Sequence, residues 1–424
     1  MDKKKLKICY VTNYLPGCHS HAGGAEQAIS DTANLMRKKG ISASFLTLPI
    51  ERKFHGRTDV KSISTTETFF RVVRKYIEIL KWYIFQFDPI CYFLSKKYFI
   101  QTKPDIVHFG NFQFLTFGVM LAAKRLNIPV VISIYDYWYF CPLTTLLDYN
   151  EKICRRFHGK WCAHCLPSEF HIIQTFFLMF RKKFFDFFLK KVDKFIVLSQ
   201  SSKQILINYG IEKDRISVIR LSLPDDFEQA DLEAENKGNS VLFAGWLQKR
   251  KGLHILLDAM SMVWGKIPEA KLCIVTQKVK WERQYEDFVN SKLKKISQDR
   301  YTFLLGQKKR GQIRNLIKNA AVVAVPEQWE NMSPLIVIEA MLMSRPVVGS
   351  DIGGIPDFIG DGKEGFLAKY LDPADFAEKI IALLNNKEMR ETLGWNANKK
   401  ITKMLNKENI ADQYIQAYEK SRVS

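Results

Sequence analysis

No run of about 18 uninterrupted apolar residues occurs in this chain of 424 residues, so no transmembrane helix is expected. The basic start, Met1 to Lys7, leads into a short apolar stretch, Ile8 to Val11, that Thr12 and Asn13 break. That is too short for the apolar core of a secretory leader and reads as a first strand. Cysteine is sparse, and apart from one cluster it is scattered, which argues against a secreted disulfide framework. No Asp-x-Asp pair occurs, so metal-dependent chemistry of that kind is not expected. No RNA- or DNA-binding motif is present, and nucleic acid is not expected as a partner. Acidic residues are also in deficit: 44 Asp and Glu face 64 Lys and Arg, a formal charge of +20. Such a surplus favours something anionic: nucleic acid, an acidic membrane leaflet or phosphorylated substrates. These readings make the chain cytoplasmic.

What is present is a large, foldable chain. With 47% hydrophobic residues it can build more than one core. Short β-branched runs alternate with helical patterns, the rhythm of parallel α/β architecture. Strands are expected at Lys7 to Thr12, Ser44 to Leu48, Asp105 to Phe109, Val130 to Ile134, Lys194 to Leu198 and Ile216 to Arg220. The series then restarts at Val241 to Ala244, Lys271 to Thr276, Tyr301 to Leu305, Val322 to Val325 and Pro346 to Gly349. The fold class is therefore α/β, as two doubly wound Rossmann-like domains with a cleft at the carboxyl ends of their strands. The expected domains are 1–222, an acidic linker at 223–240, 241–405, and a C-terminal helix at 406–424 packing back on the first domain.

The most informative stretch is Pro326 to Pro356. Glu330 and Glu339 flank a Ser333-Pro334 step that opens an apolar helix, and Gly353-Gly354 follow a short strand. A helix start offers unpaired N–H groups to phosphate, while carboxylates accept hydrogen bonds from hydroxyls. A nucleotide-sugar carries both groups. Two plainer readings stand beside this one: a first-turn charge at Glu330 and a solvated Glu339. Against the second, Glu339 lies between Leu335-Ile336-Val337-Ile338 and Ala340-Met341-Leu342-Met343, which reads as a buried helix.

Other constellations fall at the same strand ends. Gly23 and Gly24 open the first helix, where backbone can approach an anion. Lys249, Arg250 and Lys251 precede Gly252 in a cationic loop, read either as a solvated surface or as a diphosphate site. Tyr135-Asp136 follow one strand and His108 ends another. Asp136 is equally readable as a cap, and His108 as a satisfied core histidine. Cys141, Cys154, Cys162 and Cys165 include one half-site spacing for zinc, against the default of free buried thiols. Finally, Phe69 to Ile100 and Phe170 to Val192 mix aromatic and basic residues. Ile173, Phe176, Phe177, Phe180, Phe184 and Phe188 recur at helical spacing, which suits an interfacial membrane helix or a core helix with basic flanks.

On the Gly23-Gly24 loop, the His108 strand end, Tyr135-Asp136, the Gly245 to Gly252 loop and above all the Pro326 to Pro356 block, the chain resembles family 4 of the retaining glycosyltransferases, with the GT-B fold. The resemblance covers nearly the whole chain. It implies transfer of a sugar from a nucleotide-diphosphate donor to a hydroxyl of a glycan or lipid-linked acceptor, without a metal or other cofactor. It implies catalytic roles for Glu330, Lys251 and Asp136, and an acceptor-side place for His108. Donor contacts would come from Gly23, Gly24, Tyr135, Lys249, Arg250, Gly306, Gln307, Met332, Ser333, Leu335 and Glu339, the last on the ribose. Three departures stand out. Eight residues, rather than the usual seven, separate Glu330 from Glu339. Trp246 stands where an arginine is usual, and Tyr135 where a histidine is usual. Rival readings are a non-catalytic nucleotide-sugar-binding homologue, an epimerase and, last, a nucleic-acid-binding protein.

Overall fold

A computed structural model describes residues 6–20, 22–51, 54, 57–66, 86–166, 171–222, 238–279, 281–306, 308 and 310–422. The chain divides into two compact units. The first comprises Met1–Pro224 together with Asn406–Ser424, and the second Asp225–Leu405. Most of the acidic stretch read as a linker, 223–237, and the segment 67–85 lie outside the described residues.

The first unit is built on a parallel sheet of β1 (Lys7–Val11), β2 (Ser42–Thr47), β3 (Val60–Ser62), β4 (Ile106–Phe109), β5 (Val130–Ser133), β6 (Lys194–Val197) and β7 (Ile216–Val218). Their order is β3-β2-β1-β4-β5-β6-β7. β4, β5 and β6 are buried along their whole length, as central strands covered on both faces must be. The switch in strand order falls between β1 and β4, which pair from Ile8↔Ile106 to Val11↔Phe109. The loops leaving these two strands therefore diverge at the edge where ligands bind in such sheets.

The second unit repeats the plan with β8 (Ser240–Trp246), β9 (Lys271–Gln277), β10 (Tyr301–Leu305), β11 (Val322–Val325), β12 (Val347–Ser350) and β13 (Gly365–Ala368). The order is β10-β9-β8-β11-β12-β13, again parallel. β8 and β11 are the switch-point pair, and the cationic loop and the glutamate loop follow them. Leu256, Met260 and Val263 from one helix meet Ile380 and Leu383 from another over Val241, Leu272 and Val322 in a continuous core. β3 and β13 are additions to the strands read from sequence. Both are edge strands: β3 has only three residues, and β13 opens on glycine and contains no β-branched residue.

The C-terminal helix, Lys407–Ser421, belongs to the first unit and packs on its first helix, Gly24–Lys38, and on β5 and β6. Its inner face is polar as well as apolar. Tyr418 Oη lies 3.1 Å from Tyr10 Oη and 2.8 Å from His108 Nδ1, and Tyr414 Oη accepts a bond from Thr32 at 3.4 Å. Burying these hydroxyls is tolerable because they find one another.

Candidate functional site

In the second unit the chemistry gathers where the loop after β8 meets the loop after β11. Gln248 to Lys251 form a single tight turn that ends at Gly252 with φ +74°. A Cβ at Gly252 would stand 1.7 Å from the carbonyl oxygen of Pro326, so only glycine lets the two loops touch. The contact is then stitched by polar bonds. The Gln328 N–H donates to the Arg250 carbonyl at 2.8 Å, and its side-chain amide donates to the Lys249 carbonyl at 2.9 Å. Arg250 lies over the Trp329 ring at 4.3 Å and donates to Gln248 Oε1.

At the centre of this junction Lys251 Nζ is 2.5 Å from Glu327 Oε1. Glu327 is 3% exposed, and its other oxygen accepts from Asn331 Nδ2 at 2.7 Å. Asn331 in turn receives the Ser333 N–H on its Oδ1 at 3.3 Å, and its carbonyl accepts from the Gly354 N–H at 2.7 Å. Added Cβ atoms at Gly353 and Gly354 would collide with the backbone of Asn331 and Met332 at 2.7 and 2.2 Å. Three loops are thus folded against one another before any ligand arrives. The junction brings together Lys249, Arg250, Lys251, Met332 and Ser333.

The helix that follows, Leu335–Leu342, begins at Pro334, whose fixed φ of −69° suits a helix entrance. It buries Val337, Ile338, Ala340, Met341 and Leu342, while Leu335 is exposed and Glu339 half-buried. The expectation of a buried Glu339 is corrected: the residue lies on the helix side that carries Leu335 and is only partly buried. Glu330, by contrast, is buried at 4% exposure. Gly306 follows β10 with φ +102°, and Gln307 lies outside the described residues. Trp246, at the end of β8, is 52% exposed.

In the first unit a second set of loops meets at the β1/β4 switch point. Gly23 and Gly24 are exposed at the start of the first helix, and the Gly23 N–H donates to Glu26 at 2.9 Å. Glu26 is buried and also accepts from Asn111. Asn13 donates to Gln113, and Gln113 donates to Asp136 Oδ2 at 3.4 Å. Asp136 Oδ1 accepts the Trp138 N–H at 2.8 Å, the local turn bond of a loop-forming aspartate. Its carboxylate is half-buried at the loop edge.

Two first-unit residues are placed differently from the sequence reading. His108 is fully buried, with Tyr418 on one ring nitrogen and Ser133 on the other at 2.8 Å each. Burial pushes its pKa down to about 3. It is a core histidine joining sheet to C-terminal helix, and the acceptor-side expectation is corrected. The Tyr135 hydroxyl is enclosed too, beside Tyr414 and Tyr10, and burial raises it well above the ordinary phenol range. In this form its hydroxyl is turned into the core, so its expected donor contact is also corrected.

Cys141, Cys154, Cys162 and Cys165 line one cavity of about 410 Å³ with Tyr149, Arg155 and Trp161. Their pairing as a zinc site is not supported: among the described residues no three His, Cys, Asp or Glu are arranged to hold a metal. Burial raises the Cys162 thiol to about 12, as expected of an inert buried thiol.

Glu327, Gln328, Trp329 and Asn331 were not singled out in the sequence. The available signal was Glu327 itself, a carboxylate directly after a fully buried strand and Pro326, where an isolated charge would be costly.

Two tandem families account for this architecture. Residues 22–223 match the family described as Glycosyltransferase Family 4, and residues 224–400 match Glycosyl transferases group 1. The chain belongs to the family 4 glycosyltransferases of GT-B fold. Similar proteins include Spore coat protein SA of Bacillus subtilis, 29% identical over 43% of this chain and 49% of that protein. Sulfoquinovosyl transferase SQD2 of Arabidopsis thaliana is 24% identical over 69% of this chain and 52% of that protein. The chain thus spans about half the length of these curated relatives. Among solved structures, Anabaena HepE in complex with UDP superposes with a TM-score of 0.69 at 16% identity, covering 97% of this chain and 99% of that one.

Proposed function

We propose that this protein is a retaining, metal-independent glycosyltransferase that moves a sugar from a nucleotide-diphosphate donor to a hydroxyl of a glycan or lipid-linked acceptor. Surface polysaccharide or glycoconjugate synthesis is the setting this reading favours. The observation that carries it is the preassembled junction of the second unit. Lys251, the start of helix Leu335–Leu342 and the partly buried Glu339 together supply a cation, helix N–H groups and a carboxylate. Those are the three things a nucleotide diphosphate needs. Similar proteins include structures described with UDP and with UDP-glucose, in keeping with such a donor.

In the reaction the bond between the anomeric carbon and the leaving phosphate oxygen breaks. The acceptor oxygen bonds to that carbon on the same face. The acceptor proton passes to the leaving diphosphate, so no protein base is required. Charge grows on the diphosphate during the step, and Lys251 with the helix dipole stabilises it. Glu339 holds the ribose. Glu330 is assigned to the sugar side, and its burial makes that the less direct contact. Gly23 and Gly24 are assigned to the donor on the family resemblance. Because the Tyr135 hydroxyl is buried, a second reading remains: a homologue that binds nucleotide-sugar without turning it over.

Thermal-shift titration with UDP, GDP, ADP and their glucose conjugates tests the assignment, since bound donor raises the melting temperature with its concentration. Stabilisation by none of them would sink it. Binding with no product from lipid-linked or glycan acceptors would favour the second reading. Loss of turnover in chelator, restored by magnesium or manganese, would reject metal independence.

We further propose a cytoplasmic protein docked on an anionic membrane. Among the described residues no helix is long and apolar enough to cross a bilayer. Helix His171–Leu189 turns Phe185 and Phe188 inward, where Phe188 stacks on Phe117 at 4.5 Å. Outward it shows Phe176, Met179, Phe180 and Phe187, 48–58% exposed, interleaved with exposed Lys183 and Lys190. Aromatics and lysines on one stripe match the apolar and anionic layers of a lipid surface. Replacing Phe176, Phe180 and Phe187 by Ser should lower sedimentation with phosphatidylglycerol vesicles severalfold. Equal recovery of both proteins would end the membrane reading.

A further inference from the structure

Glu327 is the most deeply buried carboxylate at the second unit's ligand edge, and the reading of Lys251 as a phosphate ligand does not account for it. Its two oxygens are divided between two partners from different directions: Lys251 Nζ at 2.5 Å, 76 residues earlier in the chain, and Asn331 Nδ2 at 2.7 Å. A carboxylate beside a diphosphate site repels the ligand it neighbours, so its retention there asks for a compensating role. A lysine stem has four rotatable bonds, and an unheld ammonium would spread over many positions. The Lys251 side chain is only 20% exposed, with Trp329 on another side at 5.6 Å. Held by Glu327, the ammonium occupies one place before a ligand binds. Through its second oxygen the same carboxylate fixes Asn331, whose Oδ1 faces the Ser333 N–H and whose carbonyl ties Gly354. Asn331 also stands with seven residues between itself and Glu339, the separation that Glu330 exceeds by one.

We infer that Glu327 is a positioning residue that sets Lys251 and Asn331 as one preorganised unit at the diphosphate end of the donor site. It acts through these two neighbours and makes no contact with the ligand itself. The inference rests on the proposed role of Lys251 as a donor-phosphate ligand. Preorganisation of this kind raises affinity by removing the cost of ordering at the moment of binding.

The test is calorimetric binding of UDP, GDP and ADP, each beside its phosphate-free nucleoside, to the whole chain. Variants are Glu327→Gln, Glu327→Asp, Lys251→Ala and Glu327→Gln/Lys251→Ala. Glu327→Gln should weaken the nucleoside diphosphate about tenfold while leaving the nucleoside unchanged. Glu327→Asp, which keeps the charge, should recover part of that loss, and adding Glu327→Gln to Lys251→Ala should cost almost nothing more. Unchanged or tighter diphosphate binding by Glu327→Gln, with Lys251→Ala impaired, overturns the inference alone. Equal loss of nucleoside and diphosphate overturns it as well, by showing that the loop as a whole has been damaged. Normal diphosphate binding by Lys251→Ala removes the reading beneath it, and the inference with it. If Glu327→Gln does not fold, Glu327→Asp decides: equal loss of nucleoside, or no loss of diphosphate, counts against the proposal.

Discussion

The two units share a fold plan but hold their ligand-facing edges in opposite ways. In the second unit the edge is locked from within. Gly252, Gly353 and Gly354 let backbone press on backbone, and Glu327, Gln328 and Trp329 fasten the cationic loop to its neighbour. In the first unit the edge is joined by side chains instead, Glu26 to Asn111 and Asn13 through Gln113 to Asp136, while a buried layer of His108, Tyr10, Tyr414 and Tyr418 ties the sheet to the C-terminal helix. A Cβ built on Gly24 finds nothing within 4 Å, against 1.7 Å at Gly252. The same residue type therefore answers to internal packing at Gly252 and to free space at Gly24. Glycine in a loop of this kind is informative only when one asks what would occupy the place of its missing side chain.

The sharpest way to break that contrast is Gly252→Ala. The clash with Pro326 and the positive φ should together cost at least about 3 kcal/mol, read as a lowered urea midpoint. A variant as stable as the parent would show that the two loops are not obligatorily in contact.

The next effect belongs to the first unit. His108 is held neutral with a pKa of about 3, against about 6.5 when unfolded. Its contribution is fully present above about pH 6.5 and is lost as pH falls from there toward 3. The slope approaches 1.4 kcal/mol per pH unit within that window. His158, also buried and lowered, adds in the same direction. Denaturation curves from pH 7 to 4 should show a shallower decline in His108→Gln than in the parent, though from a lower starting stability. Parallel declines would mean that His108 is not the buried neutral group described.

Gly24→Ala should give the smallest effect, within about 0.5 kcal/mol in stability, because the added methyl has room. Nucleotide-diphosphate affinity should nevertheless fall severalfold if that room is used by the donor. A variant that unfolds, or one that binds as the parent does, would each redraw the comparison.

Much of the architecture was legible because central strands here are rich in β-branched residues, such as Val130-Val131-Ile132 and Val322–Val325. The edge strands escaped for different reasons: Val60–Ser62 has only three residues, and Gly365–Ala368 opens on glycine and contains no β-branched residue. The site was legible as loops after strands, since a parallel sheet sends all its strand ends to one side. What was hidden was partnership across distance. Glu327 means little until Lys251 is beside it, and His108 and Tyr135 looked available because Tyr418 and Tyr414, which help enclose them, lie some three hundred residues on. Glu339 was misjudged for the opposite reason: its helix reads apolar all round, yet Leu335 on its outer side is exposed.

The helix Lys407–Ser421 also has a consequence in time. The first unit is assembled from both ends of the sequence, so during synthesis its sheet emerges long before the residues that close its buried tyrosine–histidine layer. Until Tyr414 and Tyr418 leave the ribosome, His108 and Tyr10 lack their partners, and the second unit has already been made by then. The nascent chain therefore spends the making of some two hundred residues with one half unfinished, and the last turns of helix complete the first half of the protein.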